Sequence, residues 1–207
     1  MIDRTERIQT SAGMMDTFIV MPEVERPRAI ILYMDVWGIR EEIRSIARTV
    51  AETGYACLLP DLYYREGHVR HAFYDEKGRM RTLLSLTKEE QEDVRGPMRR
   101  LSDKMVMEDT NTLLSVTSNV MQVIGAVGYC MGGRHALLAG GTFPNDIKIA
   151  ACLHGSNLVN DTELSPHKIA SRITGEAYCG FAGRDPFGSP KIIKAIKSQF
   201  KQMGTKL

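Results

Sequence analysis

The strongest constraint on how this chain folds lies at residues 123–139. There the apolar residues Val123, Ile124, Ala126 and Val127 run into Gly128-Tyr129-Cys130-Met131-Gly132-Gly133, and a helix-forming stretch follows to Ala139. Glycines stand two residues before and two residues after Cys130. This is the G-x-nucleophile-x-G spacing of a strand–turn–helix elbow, with cysteine where serine is commoner. The spacing has a mechanical origin. A nucleophile held in strained backbone at so tight a turn crowds strand against helix, and side chains at those flanking positions would collide. The same turn sets the sulfur at a helix N-terminus, whose partial positive charge favours thiolate over thiol. The competing explanation is a small buried cysteine beside a glycine turn, and the rest of the chain must decide between them.

Strand and helix patterns alternate on both sides of the elbow. Residues 29–34 form a continuous apolar run, as in a strand covered on both faces, ending in Asp35-Val36-Trp37-Gly38. Ile39, Ile43, Ile46 and Val50 then recur at helical spacing until Gly54. Further strands are predicted at 55–59, 147–153 and 176–181, and helices at 101–120, from Ser165-Pro166-His167, and from Pro190 to Met203. Near the start, Ile8-Gln9-Thr10 and residues 15–21 flank Ser11-Ala12-Gly13 as a hairpin. The expected architecture is α/β, a mainly parallel central sheet with helices on both faces, in one domain over residues 1–207. Residues 63–100, charged and aromatic, read as a lid-like excursion with a helix over 88–95.

Composition narrows the function classes. A net charge of +2 gives no nucleic-acid footprint, and 43% hydrophobic with 25% charged residues is ordinary globular usage. The charged N-terminus has no signal core and no apolar run reaches membrane-span length. Cys57, Cys130, Cys152 and Cys179 lie in separate apolar runs without metal-ligand spacing. The expectation is a reduced, cytoplasmic protein with no cofactor and no metal, acting on a small molecule. A dinucleotide-binding reading is disfavoured because neither glycine-bearing turn forms GxGxxG.

In parallel sheets, sites form outside the carboxyl ends of the strands. Those ends carry Asp35, Pro60-Asp61, Cys130, His154 and Asp185. Asp185 follows the nucleophile in the chain order that a Ser/Cys…Asp…His triad on this topology uses; Asp61 reads as a turn residue.

With these residues in view, the chain resembles the dienelactone hydrolase family of the α/β-hydrolase superfamily. The collinear pieces are Tyr33-Met34-Asp35-Val36-Trp37-Gly38-Ile39-Arg40-Glu41, Cys57-Leu58-Leu59-Pro60-Asp61-Leu62-Tyr63-Tyr64, Gly128-Tyr129-Cys130-Met131-Gly132-Gly133-Arg134, Leu153-His154-Gly155 and Gly183-Arg184-Asp185-Pro186. The resemblance implies a Cys-Asp-His triad with Cys130 as nucleophile and Asp185 orienting the base. It further implies an oxyanion hole from the backbone N–H groups of Met131 and Val36. A carboxylate at Asp35, where the family usually carries the longer Glu, would contact the resting cysteine. Trp37, His154, Arg40 and Arg134 are candidates for the pocket, and Arg40, Arg65, Arg81 and Arg134 for binding an anionic substrate group.

The resemblance also places the catalytic His after a further strand, and no histidine follows Asp185. The chain therefore reads as truncated before the last core strand, or as a short form that lacks the base. His154 is expected to line the pocket, His135 to pack, His167 to start a helix, and His68 and His71 at most to line an entrance. Two functions compete: hydrolysis of a small lactone or carboxylic ester through an acyl-enzyme, and a catalytically impaired or non-catalytic binding protein that kept the pocket.

Overall fold

The computed structural model describes residues 1–67, 69, 71–169, 172–183, 185 and 188–202. Strands β1 (Ile2–Thr10) and β2 (Gly13–Met21) form the N-terminal hairpin, in register from Ile2↔Met21 to Thr10↔Gly13. Gly13 takes φ +130 at its turn, a conformation few L-residues reach. Strand β2 runs antiparallel to β4 (Ala56–Pro60). From there the sheet is parallel, through β3 (Arg28–Tyr33), β5 (Gln122–Tyr129), β6 (Ile149–Leu153) and β7 (Glu176–Gly180). The spatial order is β1-β2-β4-β3-β5-β6-β7. The chain leaves β3 toward β4 on one side and reaches β5 on the other, so the loops after β3 and β5 diverge. Such a switch point opens a crevice at the strand ends.

Helix α1 (Glu41–Glu52) buries Ile43, Ala47 and Ala51 and packs on β2 and β4; it stops at Gly54, whose φ is +94. Helix α2 (Lys88–Arg100) continues past the predicted residue 95, begun by a reciprocal Thr87–Glu90 cap. Ser102 caps α3 (Asp103–Thr117), accepting from the Met105 N–H at 3.2 Å. Helix α4 (Met131–Thr142) follows the elbow and lies over β3, β5 and β6. The short α5 (Pro166–Ile169) and α6 (Pro190–Gln202) are the last described helices; Met203, expected at the end of the last helix, lies outside the described residues. Ile147, expected to begin a strand, instead donates its N–H to Phe143 O at 2.8 Å in the turn that closes α4.

The main core joins β2, β3, β4 and β5 to α1, α3 and α4. A second core, with Leu137, Ala150, Cys152, Ala177, Ile196 and Phe200, seats α6 against β6, β7 and α4. The 63–100 excursion is fastened at its root. Asp109 of α3, 2% exposed at its side chain, takes both Arg65 guanidinium nitrogens at 2.8 and 2.9 Å and the Tyr64 hydroxyl at 2.9 Å. Tyr64 in turn meets the Thr10 hydroxyl at 2.7 Å. Farther along, Leu86 and Val94 pack with Val36 and Trp37, which lays the excursion over the loop that follows β3.

Candidate active site

Cys130 occupies the left-handed region, φ 55 and ψ −119, as the residue before α4. The glycine spacing acts as the sequence predicts. A Cβ on Gly128 would lie 2.2 Å from the Gly132 carbonyl oxygen, and one on Gly132 only 2.4 Å from Tyr33 O and 2.5 Å from Met34 O. These neighbours are backbone and cannot yield. The strain at Cys130 is held by a net of main-chain bonds: its N–H donates to Leu153 O at 3.1 Å, and its carbonyl accepts from Gly133 N–H and Ser156 N–H, each at 3.1 Å.

The sulfur receives hydrogen bonds from the Met131 N–H and from the Ser156 side chain, both of which favour its anion. Burial nonetheless prevails, and the negative charges of Asp35 and Asp185 add to it, pushing the thiol pKa up from its ordinary value. The expectation that the helix terminus favours the thiolate is therefore not met: burial and the two carboxylates outweigh it. A helix dipole supplies roughly half a charge at its end, and here it is outweighed by desolvation and two carboxylates. Asp185 thus stands within electrostatic reach of Cys130, while Arg184 and Pro186 of the same turn lie outside the described residues.

The Asp35 carboxylate is turned elsewhere. Both its oxygens accept from Arg40 at 2.8 Å, and one also caps the Trp37 N–H at 3.0 Å. Asp is one methylene short of Glu, so its reach ends within its own loop and its influence on the sulfur is through space. Val36 is 4% exposed and lines the cavity above Cys130; its carbonyl accepts from Tyr63 OH at 3.2 Å, and its N–H has no acceptor among the described residues.

That cavity has a volume of about 680 Å³, large enough for a small organic molecule. Its walls join the elbow (Cys130, Met131, Arg134) to the excursion (Leu83, Arg95, Met98) and to the start of α3. Of the four expected pocket residues, only Arg134 lines it. Trp37 is 8% exposed and packs edge-to-face on Phe73 at 5.2 Å, inside the cluster that holds the excursion. Arg40 stacks over Phe73 at 4.3 Å while it serves Asp35. His154 is exposed, has φ 41, and leans on Tyr129 with ring centroids 5.9 Å apart.

The expected anion-binding arginines are likewise committed: Arg40 to Asp35, Arg65 to Asp109, Arg81 to Glu90 and Arg134 to Asp103. Sequence reading missed three residues of this cavity. Asp103 holds Arg134 and stands 3.5 Å from His135 Nε2, so it carries one face of the wall; against the upward push of burial, the imidazole and the guanidinium together depress its pKa to about 2. Arg95 lines the cavity half-buried, with no ion-pair partner among the described residues. Ser156 touches the nucleophile, and its place just after His154-Gly155 at the carboxyl end of β6 was the available signal.

None of the described imidazoles is shown acting on the sulfur. His135 is held by Asp103, with Nδ1 buried and unpartnered among the described residues; burial pushes its pKa down. His167 Nδ1 pairs with Ser165 at 2.7 Å. His71 is lowered by burial, and His68 lies outside the described residues.

Comparison with known proteins follows the same lines. The model of the dienelactone hydrolase family matches residues 15–207. The chain is similar to a carboxymethylenebutenolidase of Rhodococcus opacus, 28% identical over 160 residues, covering 76% of this chain and 56% of that protein. It therefore spans little more than half the length of that relative. Among solved structures, a dienelactone hydrolase from Anabaena variabilis superposes with TM-score 0.62 at 16% identity, covering 99% of this chain and 82% of the other. The thioesterase domain of the curacin biosynthetic pathway gives TM-score 0.68 at 9% identity, with 100% and 92% covered. At such identities the likeness establishes the α/β-hydrolase fold.

Proposed function

Because the chain belongs to the dienelactone hydrolase family, we propose that it hydrolyses a small lactone or carboxylic ester through Cys130 and an acyl-enzyme. The observation that carries this reading is the strained elbow, which presents Cys130 at φ 55 in the floor of a cavity of substrate size. Sγ gives up its proton and attacks the carbonyl carbon. The tetrahedral oxyanion is met by the N–H groups of Met131 and Val36. The carbon–oxygen bond breaks, the departing alkoxide takes up a proton, and water then attacks the thioester to release the acid and restore the thiol. The proton passes to a base that Asp185 orients, a role that the family resemblance gives to a histidine and that none of the described imidazoles fills.

The substrate carries an anionic group that Arg95 receives, since the other arginine of the cavity wall is neutralised by Asp103. The remaining wall, with Val36, Leu83, Met98 and Leu101, suits an apolar body. Four free cysteines fit a reducing compartment such as the cytoplasm.

A second reading, a binding protein that keeps the cavity without turnover, is favoured by the burial and the two carboxylates that work against the Cys130 anion. Assays with p-nitrophenyl acetate and with a carboxylate-bearing lactone separate the two. Hydrolysis abolished in Cys130→Ala is the expected result; equal rates in both proteins would overturn the enzyme reading. Arg95→Gln should raise KM for the anionic substrate at least about tenfold, as loss of one charge-assisted pair implies, and leave the neutral ester unchanged.

A further inference from the structure

Directly beneath the elbow lies a second thiol site that the hydrolytic mechanism does not use. Cys152 of β6 and Cys179 of β7 are partners in the parallel register, with Ala150↔Ala177 below them on the same face. Both are free, and both pack into the core that α6 covers. Their side chains interact with each other directly. Cys152 is 1% exposed, whereas Cys179 is only partly covered.

Adjacent strands in a sheet run about 4.7–4.9 Å apart. That spacing lies inside the Cα range a disulfide can span, about 4.4–6.8 Å, but below its preferred 5.5–6 Å. A bridge between in-register parallel partners can therefore form but is compressed, and strained disulfides are the labile, regulatory kind rather than the structural kind.

We propose that Cys152 and Cys179 are a reversible disulfide site, oxidised by a hydroperoxide and reopened by a thiol. The more accessible Cys179 sulfur attacks the peroxide, breaking the O–O bond and forming a sulfenic acid. The Cys152 sulfur then displaces hydroxide from that sulfenic acid, the S–S bond forms, and its proton leaves with the oxygen as water. In sum, two thiols and one hydroperoxide give one disulfide, one alcohol (or water) and one water. The Cys179 sulfur beside it and burial both work against the Cys152 anion, which makes Cys152 the resolving member of the pair.

The site is built into the floor of the elbow. A Cβ on Gly155 would lie 2.2 Å from the Cys152 sulfur, and one on Gly133 3.0 Å from it, so two glycines make the room that this sulfur fills. The Gly155 N–H donates to that sulfur, and the next residue, Ser156, holds both the carbonyl and the sulfur of Cys130. Turning Cys152 toward Cys179 withdraws the sulfur from beneath Gly133 and releases Gly155, loosening the support of the nucleophile. The thiol pair stands whether or not Cys130 turns over an ester.

The test uses the full chain, reduced, freed of reductant, exposed to hydrogen peroxide and then capped with N-ethylmaleimide. Peptide mapping should show a linked pair containing Cys152 and Cys179, lighter by two hydrogens, that dithiothreitol reopens. Cys179→Ser should lose the linked peptide, and Cys130→Ser should keep it. The inference is overturned if both cysteines remain capped under conditions that oxidise Cys130, or if the linked peptide joins Cys130 instead.

Discussion

Replacing Asp103 by alanine is the sharpest probe of how the cavity wall is held. Asp103 accepts from Arg134 Nε at 2.8 Å and also from its terminal nitrogen, leaving the Asn157 carbonyl, at 2.5 Å, as the one further partner for that guanidinium among the described residues. The Arg134 side chain is 8% exposed and that of His135 5%, so neither can turn to water. Stranding one member of a buried pair costs about 3–5 kcal/mol. Asp103 itself keeps 19% side-chain exposure, which admits some solvent to the gap, so about 3 kcal/mol is expected from the lower part of that range. Arg134→Met removes the stranded charge and should recover most of this loss in the Asp103→Ala background. Urea unfolding of the four proteins, read by linear extrapolation, closes the cycle. A coupling of about 2 kcal/mol or more is expected for groups in direct contact. If the two losses simply add, to within about 0.5 kcal/mol, the ion pair does not carry the wall.

The same cluster sets an acid limit. The Asp103 pKa is about 2 in the folded chain against 3.8 unfolded, so its contribution is complete above the unfolded value and is lost as pH falls toward 2. His135 is also depressed, from 6.5, so the folded state begins to lose stability below about pH 6.5 as the unfolded chain takes up the proton first. A pH series of urea midpoints should show both losses in wild type and only the second in Asp103→Ala if the remaining His135 stays buried. Alkylation of Cys130 by iodoacetamide should keep accelerating up to and beyond pH 9, because its thiol pKa lies above the ordinary 9.0; a plateau near neutral pH would contradict the raised value. Gly132→Ala should fail to form the elbow, because its Cβ would meet two backbone carbonyls at 2.4 and 2.5 Å; near-normal stability and activity would show that the strand and helix can separate there.

The parts of the site that could be read from sequence are those set by local sterics. Gly128 and Gly132 announce the elbow because each is required by atoms within the strand, the turn or the strand alongside it. The direction in which the Cys130 pKa moves is not legible locally, because the helix terminus is a local signal whereas burial and the charges of Asp35 and Asp185 come from distant segments. The arginines failed as anion binders for a similar reason: nothing in the spacing of Arg65 and Asp109, or of Arg134 and Asp103, shows that they meet. Asp103 looks like an ordinary acidic residue in the first turn of a helix, and only the docking of α3 against α4 brings it to Arg134 and His135. Arg95 sits in a charge-dense helix where no single residue stands out.

Asp109 bears on the order in which this chain can assemble. Its carboxylate is almost wholly buried, joined to Arg65 and Tyr64 across more than forty residues, and through Tyr64 to Thr10 of the first hairpin. An unpaired carboxylate cannot enter such a site without several kcal/mol of desolvation. Seating α3 in its native place therefore requires Arg65 from the segment after β4, and bringing the two together closes a loop of more than forty residues. Asp109→Asn should remove the charge that waits for a partner, so the chain would collapse faster while its native state unfolds sooner. The residue that fastens the cavity roof to its frame thus ties three separate stretches of the chain to one carboxylate.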